Sequence, residues 1–410
     1  MKKAKYLILG TGPAGLAFGN ALLDAGETDF LLLEAEAAPG GLCRSCEVDG
    51  SPFDIGGGHF LDVTRPDVNS FLFRFMPESE WILHVRDSRI AIGNQWIHHP
   101  IEANIWEMSL EEQVLYLKSI AQAGCNTGKP SPRRFVDWIR WKLGDRIADD
   151  YMLPYNRKLF GEELNRLGTY WLEKLPDVSF EDTLRSCLQH KAFARQPGHA
   201  QFYYPRKHGF GELWRRMGVA LGERLLCNQR VVSLNIDTLE VLTAAQEAFQ
   251  AKLIVSTIPW RSFVRIEGMP SDLRGIVKGL KHTSVQTEYV PKRLDTSAHW
   301  IYCPDISLSY HRILVRHNFS SGSKGYWTET NASRLPSKPS KPSQFHYLNE
   351  YAYPLNTIGK NERMKRLLDW CAARRVFAMG RWGEHQHHNS DLVVQIAMKT
   401  ARRLVSLDAH

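Results

Sequence analysis

The stretch Tyr6-Leu7-Ile8-Leu9-Gly10-Thr11-Gly12-Pro13-Ala14-Gly15-Leu16 decides the fold. Residues 5–9 form an apolar run that reads as a buried strand, the glycine-rich run reads as a tight turn, and residues 16–23 read as the following helix. A second apolar run, Phe30-Leu31-Leu32-Leu33, ends at Glu34 and closes a βαβ unit of about thirty residues, as a parallel sheet requires. Each glycine has a physical use. Gly10 permits the turn, Gly12 lets a pyrophosphate approach the backbone, and Gly15 lets helix and strand pack closely. The helix start offers unpaired N–H groups to an anion, and Glu34 is placed for a ribose 2′-hydroxyl. A lone glycine motif is weak evidence, but strand, helix and terminal acid all stand at the expected offsets. Dinucleotide binding is the expectation.

The next residues sharpen it. Pro39-Gly40-Gly41-Leu42-Cys43-Arg44 places a second glycine pair before a cation, and Gly40, Gly41 and Arg44 are expected to wrap the diphosphate from its other side. This favours FAD over NAD; the plain alternative is a surface turn with a solvated arginine. Downstream, Asp54-Ile55-Gly56-Gly57-Gly58-His59 offers a pliant backbone ending in an imidazole, as suits a loop beside a flat ring.

Apolar residues at helical spacing over 110–123 and 135–150 indicate a helical insertion, with Trp138 and Trp141 as packing residues and the nearby Arg133, Arg134, Arg140 and Lys142 as a solvated flank. Strands are expected over 230–235, 240–242 and 253–259. Further strands over 284–289, 300–302, 310–315 and 346–351, with no helices between them, point to an antiparallel layer. Residues 335–343 are proline-rich and read as an extended loop. Residues 375–381 read as a strand entering a glycine turn, and 391–404 as a helix. The fold class is therefore α/β: a Rossmann-like FAD-binding domain with an inserted helical domain and an antiparallel β-sheet domain. The expected partition is a discontinuous nucleotide domain (1–80, 200–262, 352–410), a helical domain (100–199) and a sheet domain (81–99, 263–351).

Composition agrees with a folded chain of 410 residues, 43% apolar and 23% charged, which excludes disordered and fibrous classes. Lys and Arg number 52 against 44 acids, a net +8 that suits anionic ligands but forms no concentrated basic arm, so nucleic acid is not an expected partner. No apolar run reaches membrane-spanning length, and no export signal is read at the start. Seven scattered cysteines fit a reducing cytoplasm better than a disulfide framework. His385, His387 and His388 lack carboxylate or thiolate partners at ligand spacing, so no metal is expected.

Several segments, taken in order, resemble the UDP-galactopyranose mutase family, within the wider amine oxidase and protoporphyrinogen oxidase superfamily of FAD proteins. Tyr155-Asn156-Arg157-Lys158-Leu159-Phe160-Gly161 resembles the segment whose tyrosine stacks on the uracil and whose later aromatic lines the same pocket; Tyr151 lies one turn earlier. Tyr310-His311-Arg312 resembles the tyrosine-x-arginine strand whose arginine meets the substrate diphosphate, and Asn349-Glu350-Tyr351 the glutamate–tyrosine step whose tyrosine does likewise. Gly380-Arg381-Trp382-Gly383 resembles the turn that carries an arginine to the flavin. On the same resemblance His387 and Asn389 stand at the substrate and the cofactor, Val231 at the cofactor, and Arg195 is taken as a second diphosphate arginine. The chain departs from the pattern where His387 replaces a tyrosine, Asn389 an acid and Phe160 a tryptophan, and where Phe60-Leu61-Asp62 follows His59.

The resemblance implies that reduced FAD attacks the anomeric carbon of a UDP-linked sugar and that the sugar recloses in another ring size without net oxidation, as in polysaccharide biosynthesis. It further implies His59, Arg312 and Arg381 as the residues closest to the chemistry, an external reductant such as NAD(P)H, and a chain that can form homo-oligomers. The competing readings are an FAD-dependent oxidoreductase of the amine oxidase or protoporphyrinogen oxidase type, and a flavin-bound redox sensor.

Overall fold

The computed structural model describes residues 1–169, 172, 177–193, 200–320, 322–335 and 345–408. At its centre the strand Lys2–Leu9 runs parallel to Phe30–Leu33 on one side and to Ala248–Ser256 on the other. Tyr6, Leu7, Ile8 and Leu9 are all fully buried, as a continuous apolar run must be in a sheet covered on both faces. Helix Pro13–Asp24 opens with a proline in its first turn, where the missing N–H costs nothing, and no side chain caps it. It packs beside the C-terminal helix Ser390–Asp408, sharing a core of Leu16, Phe18, Val394 and Ala397. Helices Lys360–Ala372 and Ser271–Gly279 cover the opposite face through Leu367, Met364 and Ile276.

Among the described residues eight strands make this first sheet, and the late strand Val376–Ala378 returns to pair with Ala248–Ser256. Arg265–Glu267 still belongs to it, so the chain, having entered the second sheet once at Ser88–Ile92 and Gln95–His98, returns there only at His282.

The second sheet has seven strands in the order Phe345–Pro354, His282–Val290, Tyr326–Asn331, Arg312–Leu314, Trp300–Tyr302, Ser88–Ile92 and Gln95–His98. It is antiparallel except where Trp300–Tyr302 runs parallel to Ser88–Ile92, a pair far apart in sequence and free of any hairpin constraint. The helical insertion is built from Leu110–Ala121, Phe135–Ile147, Leu153–Phe160 and Phe180–Gln189 around Phe135, Ile139, Ile147 and Tyr116. The helix expected over 135–150 breaks at Gly144, whose φ is 77°, and continues through a wider turn into Leu153–Phe160. The expected loop over 335–343 lies outside the described residues after Leu335. Among the described residues no helix is long and apolar enough to cross a membrane.

Candidate functional site

The opening turn is a cradle with its space left free. A Cβ on Gly15 would stand 2.0 Å from the Gly10 carbonyl oxygen, so only glycine lets the helix abut the turn, whereas a Cβ on Gly12 would meet nothing within 4 Å. The second glycine pair closes on the first: a Cβ on Gly41 would lie 3.2 Å from Gly12 Cα. Arg44 is not solvated. Its Nε donates to the Gly41 carbonyl at 3.1 Å and its Nη2 to the Tyr347 hydroxyl at 3.0 Å, tying the cradle to the second sheet. Glu34 is buried and accepts from the Thr11 N–H at 3.0 Å, from the Thr11 hydroxyl, and from the Glu36 N–H at 3.0 Å. Its carbonyl accepts from Gln229 N at 2.6 Å, which brings the segment before Val231 alongside; the Val231 side chain itself is core.

Beyond the cradle, a cavity of about 240 Å³ opens between the Gly56–Gly57–Gly58–His59 loop, the turn after Gly380 and the second sheet. The loop is anchored from behind by fully buried Asp54, which accepts from Ser45 Oγ at 2.5 Å and Phe210 N at 3.1 Å and pairs with buried Arg316 at 3.1 Å. Gly58, His59, Arg312, Arg381, His387 and Asn389, all expected at a site, line the cavity.

Arg312 faces the cavity in partnership with an acid. Its Nε and Nη2 lie 2.7 and 2.5 Å from Glu329 Oε2, and His311 Nε2 is 3.5 Å from the same oxygen. The other carboxylate oxygen accepts from Gly58 N at 3.3 Å. Gly57 has φ 85°, and a Cβ there would sit 1.8 Å from that oxygen, so the loop and the acid fit together only through glycine. Burial raises the Glu329 pKa, but the adjacent Arg312 charge and the His311 hydrogen bond outweigh it and hold the carboxyl at about 2. Burial and the Arg381 charge push His59 down to about 4, so its ring is neutral near pH 7. The Nδ1 of His59 is buried with no partner among the described residues, an unmet hydrogen bond on the cavity wall.

Arg381 is held by backbone: Nε donates to the His388 carbonyl at 3.0 Å and Nη1 to the Ala352 carbonyl at 3.2 Å. Gly380 has φ 76° and donates its N–H to Glu384 at 2.9 Å, which sets the turn. The three histidines diverge. His387 packs against Tyr353 at 5.0 Å, His385 Nε2 meets the Lys281 carbonyl at 2.9 Å, and His388 lies 3.7 Å from Glu384. Among the described residues no group of His, Cys, Asp and Glu is placed to hold a metal.

Other expected residues stand apart from this cavity. Tyr155 lies behind the Arg312 wall, with ring centroids 5.4 Å from Tyr302, 5.8 Å from Tyr151 and 6.0 Å from His311. Tyr151 and Phe160 are buried in the helical core. Tyr310 is half-buried beneath Lys158. Tyr351 packs outside, 4.5 Å from His282 and 5.4 Å from Trp382, and Tyr353 lines the cavity in its stead. The cause is an irregular pairing: Asn349 faces Val285 but Tyr353 faces Thr283, so the strand carries extra residues there and the facing shifts. Arg195 lies outside the described residues.

Several lining residues are absent from the expected site residues, Arg86, Trp300, Glu329, Tyr353 and Asp391 among them. Glu329 had one signal, an acid inside the aromatic and β-branched run Tyr326-Trp327-Thr328-Glu329-Thr330.

Residues 13–274 match the family model described as flavin containing amine oxidoreductase. Among solved structures, that of reduced UDP-galactopyranose mutase superposes with a TM-score of 0.89 at 21% identity, covering 98% of this chain and 96% of that one. A CLA-producing fatty acid isomerase from P. acnes superposes with a TM-score of 0.65 at 14% identity, covering 98% of each chain. A double mutant of putrescine oxidase does so with a TM-score of 0.62 at 13% identity, covering 99% of each. At these identities the likeness is one of fold.

Proposed function

The chain belongs to the flavin containing amine oxidoreductase family, and from that premise we propose a flavin-dependent mutase that interconverts the pyranose and furanose forms of a nucleotide sugar. The observation that carries this reading is the charge of the cavity beside the cofactor cradle, where Arg86, Arg312 and Arg381 converge. Three acids, Asp62, Glu329 and Asp391, line the same cavity, but Glu329 is paired with Arg312 and Asp391 with Arg65 at 2.6 Å, so Arg86 and Arg381 stand against one carboxylate and a protonated amine gains little there. A tetrapyrrole is broad and apolar where this cavity is small and charged. A linked pair of phosphates is the ligand such a wall attracts.

The cofactor we propose is FAD. Its pyrophosphate would lie over Gly10, Gly12 and Gly15 with Gly40, Gly41 and Arg44 across from them, its adenosine ribose beside Glu34 and the segment at Val231, and its ring against Gly57, Gly58, His59, Gly380, Arg381 and Asn389. When bound and reduced, a flavin supplies a nucleophilic nitrogen for attack on an anomeric carbon, which calls for a reductant such as NAD(P)H.

The chain's own residues supply position and charge. Glu329 holds two of the three nitrogens of Arg312 and so fixes the guanidinium on the cavity wall. Arg312 then donates to the departing diphosphate, while its partial neutralisation lets that anion leave again. Neutral His59 offers Nδ1 to a hydrogen-bonding edge of the cofactor, and the fixed charge of Arg381 favours an anionic reduced ring. Tyr151, Phe160, Tyr310 and Tyr351 stand outside the cavity lining, and Tyr155, which backs onto the Arg312 wall, is the nucleoside-facing residue. The test is incubation of the dithionite-reduced protein with UDP-galactopyranose or UDP-galactofuranose, followed by chromatography. Conversion without oxygen uptake supports the mutase; oxygen consumption with an amine or porphyrinogen, and no conversion, overturns it.

A further inference from the structure

Of the three cavity arginines, Arg86 alone keeps its side chain among neutral partners that belong to other side chains. Its Nε donates to Ser88 Oγ at 2.7 Å, its Nη2 donates to the Tyr302 hydroxyl at 2.8 Å, and its guanidinium lies 5.1 Å over the Trp300 ring. Nη1 has no partner among the described residues. The acid next to it in sequence is engaged elsewhere, Asp87 accepting from Arg89 at 3.1 Å and from Ser297 at 2.8 Å, and Asp62, which lines the same cavity, accepts from Thr64 N at 2.8 Å. Arg312, by contrast, carries a buried carboxylate on two nitrogens.

The sheet fixes how these two cations relate. Tyr302 stands directly opposite Arg312 in the pairing of Trp300–Tyr302 with Arg312–Leu314, and the Tyr302 hydroxyl is what Arg86 binds. Arg86 and Arg312 therefore flank one tyrosine. Arg86 lies on the Trp300 side, and the Trp300 Nε1 is 2.7 Å from where a Gly58 Cβ would be. That is the wall shared with the Gly58–His59 loop, the end of the cavity where the reacting sugar would sit against the ring.

Closing a ligand over a partly buried guanidinium removes its water, and a neutral hydroxyl leaves the charge uncompensated, whereas a carboxylate meets both the charge and the free N–H groups. We propose that Arg86 is the specificity-determining cation for the sugar half of the substrate, and that the sugar carries a carboxylate, making the substrate a nucleotide-linked hexuronic acid. This rests on the nucleotide-sugar reading given above.

The probes are UDP-galacturonate and UDP-galactose, which differ only in a carboxylate against a hydroxymethyl group, with UDP as reference. Their Kd values are measured on the flavin-loaded, reduced protein by the change in flavin absorbance. The expected result is at least tenfold tighter binding of UDP-galacturonate by the wild type, with Arg86→Gln cutting that ratio by tenfold or more. UDP-galactose binding as tightly as UDP-galacturonate overturns the inference alone, and needs no variant to be seen. So does Arg86→Gln weakening UDP, UDP-galactose and UDP-galacturonate by one common factor, which would place Arg86 on the diphosphate. If none of the three binds, the nucleotide-sugar reading itself falls and takes this inference with it.

Discussion

Arg312 and Glu329 are register partners on adjacent antiparallel strands, and one oxygen of the acid takes both Nε and Nη2 of the guanidinium at 2.7 and 2.5 Å. Glu329 is buried and Arg312 mostly so, and the desolvation of the acid is offset only while both members are present. Glu329→Gln keeps the shape and removes the negative charge. Breaking such a pair costs on the order of 3–5 kcal/mol of folding stability. The freed charge of Arg312 should also bind UDP several-fold more tightly, and turnover should slow because the product leaves late. Urea unfolding and UDP titration of the flavin-loaded variant check both. Weaker UDP binding would show that Glu329 acts by aiming Arg312 rather than by tempering it.

The glycine before this pair gives a sharper structural test. Gly57 and Gly26 both adopt positive φ, 85° and 78°, but a Cβ on Gly57 strikes Glu329 at 1.8 Å while one on Gly26 meets nothing within 4 Å. Gly26→Ala therefore reports backbone strain alone, about 1 kcal/mol. Gly57→Ala adds a collision with a group that cannot move without abandoning Arg312. It should lower the thermal midpoint further than Gly26→Ala and release flavin on dialysis. Equal midpoints and full flavin retention would mean the loop shifts freely, and the loop would then lose its assigned place against the ring.

His59 makes the site sensitive to acid in a defined direction. Its folded pKa of about 4 lies below the ordinary 6.5, so the unfolded chain binds the proton first as pH falls. Stability that is complete above pH 6.5 is then lost progressively down to about pH 4. His99, His299 and His385 are pushed down to about 3, 4 and 3 by burial and contribute in the same window, so the slope is shared. His59→Gln should flatten the plot of urea midpoint against pH between 6.5 and 4 by about one proton's worth, leaving the remaining slope to the other buried groups, among them His84, His282 and His311, which burial also pushes down. An unchanged slope would show that His59 takes up its proton without cost in the folded protein.

The first, α/β sheet was legible because its signals are local. Strand, turn and helix at Tyr6 to Leu16 follow from residues within a few positions of one another, and the arginines at 312 and 381 sit in short motifs. The missed residues depend on what lies across space. Glu329 matters because strand pairing sets it opposite Arg312, seventeen positions away in sequence. Arg86 stands in His84-Val85-Arg86-Asp87, where nothing nearby distinguishes it from a solvated charge until Trp300 and Tyr302 are brought beneath it. Tyr351 against Tyr353 is a matter of register, which the period-two alternation of a strand specifies only while the strand is regular.

That last case yields a direct comparison. Asn349, Ala352 and Tyr353 line the cavity, and the Tyr353 hydroxyl group lies within reach of Arg312, which lowers its otherwise burial-raised pKa. Tyr351 instead fills the gap between His282 and Trp382 on the outer side. Removing the Tyr353 hydroxyl takes a donor from the anion site without opening a hole, so Tyr353→Phe should weaken UDP binding by about tenfold, the worth of one hydrogen bond to a charged group. Tyr351→Phe leaves the ring stack intact and should leave the UDP Kd within about twofold, far less than one such bond. Both variants keep their aromatic packing, so a difference between them reads the hydroxyls alone. The reverse order, with Tyr351→Phe the more damaging, would mean that the strand re-registers when ligand binds and that the placement of Tyr351 implied by the family resemblance describes the occupied protein.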